Sequence, residues 1–241
     1  MLAGFFVVMF LIMLSFDSAN NYLIRQVNAE RKKSDTLLLN ILPEKTAKEL
    51  KESGHSLAQH YNEVTVLFSD INRFTVWAEK LSPTELVEDI NECFREFDLI
   101  MEKYGIEKIK TIGDAYMAAG GLPVPNHTNA LDVIHAALEM QQFMEILKAR
   151  KQAQGKEAFS IRLGIHSGPV VAGIVGIKKF QYDIWGDTVN MASRMESNGE
   201  VGKINISEST YQIVKDHFVC TFRGETEVKG KGKIKMYFVE S

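Results

Sequence analysis

Asp70 follows a short apolar, partly β-branched run, Val64 to Phe68 and then Ser69, which reads as a buried strand. A carboxylate at the end of a stiff strand emerges at the edge of a sheet. Asp114 lies in Gly113-Asp114, between Ile106 to Ile112 and Ala115 to Ala119. Those two runs read as strands joined by a hairpin with the preferred turn chemistry. If the hairpin lies beside the first strand, the two carboxylates converge on one spot. Carboxylates held together repel, so such a pair is stable mainly when a divalent cation neutralises it. Two carboxylates plus phosphate oxygens suit magnesium, which keeps few protein ligands. Each aspartate alone is ordinary, and a turn aspartate is usually structural.

The second concentration of chemistry is the segment Gln181 to Arg194, QYDIWGDTVNMASR. On a helix beginning near Asp187, Asn190 and Arg194 are four apart and share a face. An amide beside a guanidinium can hold a sugar oxygen and a phosphate. The spacing alone fits a capped helix with a surface arginine equally well. Walker A, GxGxxG, HExxH and GxSxG patterns are absent. The six histidines show no metal-ligand spacing, and His166 reads as a satisfied strand-end residue.

The elements that must position these side chains alternate between strands and helices. Ser82-Pro83-Thr84-Glu85 is a helix start, with a capping serine, proline at the first position and glutamate after it. Leu86, Ile90, Phe94, Phe97 and Met101 keep helical spacing up to Gly105. A second amphipathic helix is expected from about Asn129 to Gln152. Ser160 to Val175 read as a strand, Ile161 to Ile165, then a Gly-rich turn and a second apolar run. A helix over Asp187 to Ser197, a strand over Lys203 to Ile206, a helix over Glu208 to Lys215 and a hairpin over Val219 to Val239 complete the pattern. Hairpins mixed with crossovers predict an α+β fold with a mixed or antiparallel sheet.

The chain has 241 residues, 45% of them hydrophobic, enough for a substantial core. A formal net charge of -3 gives no basic excess, so nucleic acid is not an expected partner. Cys93 and Cys220 lack CxxC spacing, which fits a reduced cytosolic protein. Residues 1–16 carry no charge and almost no polar group, and Arg25, Arg31, Lys32 and Lys33 follow. We read them as a membrane segment, slightly short and open to being the end of a longer one, with the catalytic part cytoplasmic. A buried core helix is the alternative. Residues 17–45 read as a helical linker, with Leu23, Val27, Leu37 and Ile41 on a weak heptad seam interrupted by Glu30 and Ser34. Pro43 breaks that helix. The catalytic domain is assigned to residues 46–241, its globular part beginning near His60.

Five ordered motifs carry a resemblance. They are FSDINRFT at Phe68 to Thr75, EKIKTIGDAYMAAGG at Glu107 to Gly121, RLGIHSGPVVAGIVG at Arg162 to Gly176, QYDIWGDTVNMASRME at Gln181 to Glu196, and VKGKG at Val228 to Gly232. Together they resemble the class III adenylyl cyclases from about His60 to the C-terminus. The resemblance implies a ferredoxin-like α+β domain whose catalytic pockets form between two domains. It implies two divalent cations, Mg2+ or Mn2+, held by Asp70, Asp114 and the backbone carbonyl of Ile71. It gives Lys110 and Asp183 the adenine edge, Asn190 the ribose and Arg194 the transition state. Lys229 would hold the terminal phosphates, with Lys231 a nearby candidate, and Phe68 would line the nucleotide pocket.

The same resemblance implies ATP as substrate. In guanylyl cyclases the positions of Lys110 and Asp183 resemble Glu and Cys, and neither stands here. A guanylyl cyclase and a catalytically silent dimeric nucleotide-binding domain are the rival readings. Heterodimeric members divide the metal aspartates from the Asn and Arg between two domains, whereas this chain keeps both sets. The expected partners are therefore ATP, a second copy of the chain, a membrane and an upstream sensor or receptor region.

Overall fold

The computed structural model describes residues 2–176, 180–228 and 230–240. The chain divides into two compact units, residues 1–55 and 56–241. The first unit holds helices α1 (Leu2–Leu39) and α2 (Glu44–Ser53). Pro43 stands at the N-terminal boundary of α2, where its missing N–H costs nothing. The helix α2 straddles the boundary drawn above between residues 45 and 46, and it falls in this first unit.

The expected membrane segment over residues 1–16 is not supported. Among the described residues no helix is long and apolar enough to cross a membrane. Within α1 the described apolar stretch is Leu2 to Phe16, before Asp17, and 15 helical residues rise about 22 Å against a hydrocarbon core of roughly 30 Å. The helix α1 continues past that point without a break, and Leu23, Val27 and Leu37 of the heptad seam are exposed along it.

The second unit is built on one mixed sheet. Its strands are β1 (Gln59–Ile71), β2 (Glu107–Ile112), β3 (Ala115–Gly120), β4 (Ile161–Val175), β5 (Gln181–Trp185), β6 (Ile204–Ser207), β7 (Cys220–Val228) and β8 (Gly232–Val239). The order is β2-β3-β1-β4-β6-β8-β7, and β5 pairs with β4 off this path. Only β4 and β6 run parallel among the pairs described. The α+β class expected from the mixed connections is thus observed.

Side chains alternate across the sheet. Leu67, Ile71, Leu163 and Ile165 point to one face and form the main core with Phe97 and Met140. Those two belong to α4 (Pro83–Lys103) and α5 (Asn129–Ala153). The helix α4 begins as expected, Ser82 and Glu85 forming a reciprocal capping box. Gly164, between Leu163 and Ile165, faces the other way and meets α6 (Asp187–Ser197). A Cβ at Gly164 would lie 1.9 Å from the backbone nitrogen of Glu196, so glycine is what lets this helix seat. Met191 and Met195 of α6 are buried with Met236 of β8 in a second, smaller cluster. The short helices α3 (Phe74–Lys80) and α7 (Glu208–Val214) complete the unit.

Three features depart from the sequence reading. The strand β4 runs unbroken for 15 residues, and Ser167-Gly168-Pro169 does not turn. Pro169 is tolerated because β1 bulges opposite it, its register shifting between Tyr61 and Val64, so no ladder N–H is demanded there. The segment Gln181 to Trp185, read only as chemistry, is a strand. Helix α3 was not foreseen, being only seven residues long.

Candidate active site

Asp70 is the penultimate residue of β1, opposite Ala115 of β3 on one side and Arg162 of β4 on the other. Asp114 immediately precedes Ala115 in the turn made by Gly113, whose φ is +63°. The fold therefore brings the two carboxylates side by side. Their proximity shows in Asp114, whose carboxyl is pushed up to about 6. Burial is the larger cause, and the adjacent Asp70 adds to it against a hydrogen bond from its own backbone.

Such a pair fits divalent cations. Among the described residues no group of three or more His, Cys, Asp or Glu side chains could hold a metal. Two carboxylates leave the remaining positions to phosphate, water or backbone oxygen, the donor set that suits magnesium. The side chain of Ile71 is in the main core, so only its backbone is available to the site. Phe68, 6% exposed, lies two residues before Asp70 on the same face, opposite Gly164 and Met117.

Two residues that the sequence reading did not single out complete this corner. A terminal guanidinium nitrogen of Arg162 lies 2.7 Å from an Asp70 oxygen and 2.9 Å from a Glu196 oxygen. Glu196 is 8% exposed, near the end of α6. Its carboxyl is pushed up to about 7, mainly by burial, with Arg162 pulling it down and Asp70 pushing it up. The signal in the sequence was a charge, Arg162, between Ile161 and Leu163 of a buried strand, where it needs an answering group.

Lys110 of β2 and Asp183 of β5 form an ion pair, their side chains 28% and 14% exposed. A second oxygen of Asp183 accepts from the backbone N–H of Ile184 at 2.9 Å. The pair expected to read a base is thus assembled within one chain. Glu107, three residues before Lys110, is pushed up to about 7 by burial.

Asn190 is exposed and Arg194 half-buried, one turn apart on α6. Neither makes a side-chain hydrogen bond or ion pair among the described residues. Their direction matters more. Glu196 faces Arg162 and Asp70, and at about 100° per residue Arg194 lies roughly 160° and Asn190 roughly 120° round the helix from it. They point away from the carboxylates of their own chain.

Lys229 lies outside the described residues. Lys231 is paired with Asp187, the first residue of α6, at 2.7 Å. His166 is held by Ser207 at 2.7 Å and pulled down to about 4 by burial, a neutral and satisfied ring as expected. Both cysteines are free, and burial pushes the Cys93 thiol up to about 12.

Residues 57–241 match the family model described as the adenylate and guanylate cyclase catalytic domain. The chain belongs to this cyclase family. An adenylate cyclase of Mycobacterium bovis is 41% identical over 216 residues, covering 88% of this chain and 47% of the relative. Guanylate cyclase soluble subunit beta-2 of Rattus norvegicus is 42% identical over 211 residues, covering 87% and 30%. The cyclase chain spans about half the length, or less, of these curated relatives. Among solved structures, the catalytic core of a rhodopsin-guanylyl cyclase with converted specificity, in complex with ATPαS, superposes with a TM-score of 0.71. It is 41% identical and covers 77% of this chain and 99% of that one. Relatives named for both nucleotides are about equally similar, so the base must be argued from this cyclase's own residues.

Proposed function

We propose that this cyclase converts ATP to 3′,5′-cyclic AMP and pyrophosphate at sites shared between two copies of the chain. The observation that carries the shared site is the direction of α6. Asn190 and Arg194 turn away from Asp70 and Asp114 of their own chain, and among the described residues no side chain engages theirs. A two-fold pair of chains offers each helix the carboxylates of its partner. Each site then takes Asp70, Asp114 and the Ile71 carbonyl from one copy, and Lys110, Asp183, Asn190 and Arg194 from the other.

The choice of ATP rests on Lys110 and Asp183. Adenine offers a donor at N6 and an acceptor at N1. Asp183 accepts from the first and Lys110 donates to the second. Guanine presents the reverse pattern, setting its O6 against the Asp183 carboxylate and its N1–H against the Lys110 ammonium, so neither side chain can bond the base, which rejects it strongly. Asn190 holds the ribose so that its 3′-hydroxyl lies in line with the α-phosphorus. Arg194 meets the charge that grows on the five-coordinate phosphorus, where electrostatics carry most of the catalysis. Two divalent cations, Mg2+ or Mn2+, when bound by Asp70 and Asp114 would acidify the attacking hydroxyl and screen the triphosphate. The triphosphate substrate and the free cysteines favour a cytoplasmic catalytic unit.

Purified protein supplied with ATP or GTP, in magnesium or manganese, tests the base. Cyclic AMP should form at least about a hundredfold faster than cyclic GMP at equal nucleotide. A preference for GTP would overturn the assignment of Lys110 and Asp183.

A further inference from the structure

One nitrogen of Arg162 serves two carboxylates, Asp70 at 2.7 Å and Glu196 at 2.9 Å. An arginine facing a lone carboxylate favours a two-pronged fork that occupies both oxygens. Here the fork is not made. The Nε of Arg162 and the near oxygen of Glu196 have no aligned hydrogen bond among the described residues, so the guanidinium is stretched between its two partners. Among the described residues Arg162 makes one hydrogen bond to Asp70, from a terminal nitrogen to a single carboxylate oxygen.

We infer that Glu196 is a positioning residue for the metal site, drawing Arg162 off Asp70 so that cations can take that carboxylate. The inference rests on the reading that Asp70 and Asp114 hold divalent cations. The close seat of α6 on Gly164 sets the place of Glu196, because the backbone at this residue touches the strand. With Glu196 replaced by glutamine, Arg162 loses its second charged partner and closes its fork on Asp70. It then competes with the cation for the same oxygens. With Arg162 replaced by glutamine, that competition ends whatever stands at position 196.

The test is a double-mutant cycle in the full chain, with Mn2+ alone as the probe and no nucleotide. The readout is the Mn2+ concentration giving half the maximal rise in the thermal unfolding midpoint, which differs from overall stability. Glu196→Gln should need about tenfold more Mn2+ than the wild type. The double variant Arg162→Gln with Glu196→Gln should return to the wild-type requirement or below it. Glu196→Asp, which keeps the charge on a shorter arm, should fall between. Asp70→Asn fixes the frame by abolishing the Mn2+ response. If it does so while Glu196→Gln matches the wild type, the inference fails and the cation site stands. A double variant as demanding as Glu196→Gln alone also defeats it, since the effect would not pass through Arg162. A wild type without a Mn2+ response, or one that survives Asp70→Asn, defeats the cation reading and the inference together.

Discussion

Buried charged groups are the informative residues of this chain. Glu107 is the plainest case, because burial alone raises its carboxyl from 4.5 to about 7. Tyr182 of β5 stands near it, and the Tyr182 hydroxyl is buried without a partner among the described residues. A carboxyl raised in the folded state favours folding below its unfolded value and loses that contribution as pH rises through the folded one. The stability due to Glu107 is therefore full below about pH 4.5 and gone above about 7. Glu107→Gln should be more stable than the wild type at pH 8, by roughly 1–3 kcal/mol, and lose part of the slope between those values. Denaturant unfolding across that range measures it, and an unchanged slope would contradict it. At this scale the sequence named Asp70, Asp114, Lys110, Asp183, Asn190 and Arg194 by type and motif. It did not reveal that Arg162 and Glu196 complete the first pair, because their meeting depends on how a helix lies across a strand.

The helix α6 is the element that decides the site, and Gly164 decides α6. Gly164→Ala would force its Cβ into the backbone of Glu196, which no rotamer change can relieve. The helix must lift, moving Asn190 and Arg194 with it. We expect a loss of at least about 2 kcal/mol in stability and a fall in turnover of at least about tenfold. Melting curves and initial rates check both, and near-normal turnover would contradict the seating of α6. The long helix α4 was legible because its apolar periodicity is strong and Ser82 and Glu85 mark its start; α5, whose apolar residues are spread round the helix, was legible because residues 129–153 hold no glycine or proline. The unbroken β4 was not legible. Gly168 and Pro169 carry turn chemistry, and only the bulge in a partner strand 104 to 108 residues earlier in the chain makes a strand possible there. β5 was hidden because its residues had already been read for chemistry, and its pairing partner is the far half of β4.

At the scale of the whole molecule, a single chain carries both halves of the proposed catalytic set but turns them apart. The Asp70–Asp114 corner belongs to the end of the interior strand β1 and the neighbouring β2–β3 turn, and the Asn190–Arg194 face of α6 looks elsewhere. A single copy should therefore be inactive, and the rate per chain should rise with protein concentration. Mixing Asp70→Ala with Arg194→Ala tests this most directly. Each variant alone should lose at least about a hundredfold in cyclic AMP formation. In an equal mixture, half the dimers pair unlike chains and each of those rebuilds one of two sites, so the rate should return to about a quarter of wild type. A mixture shown to contain the mixed dimer yet no faster than either variant alone would contradict the shared site.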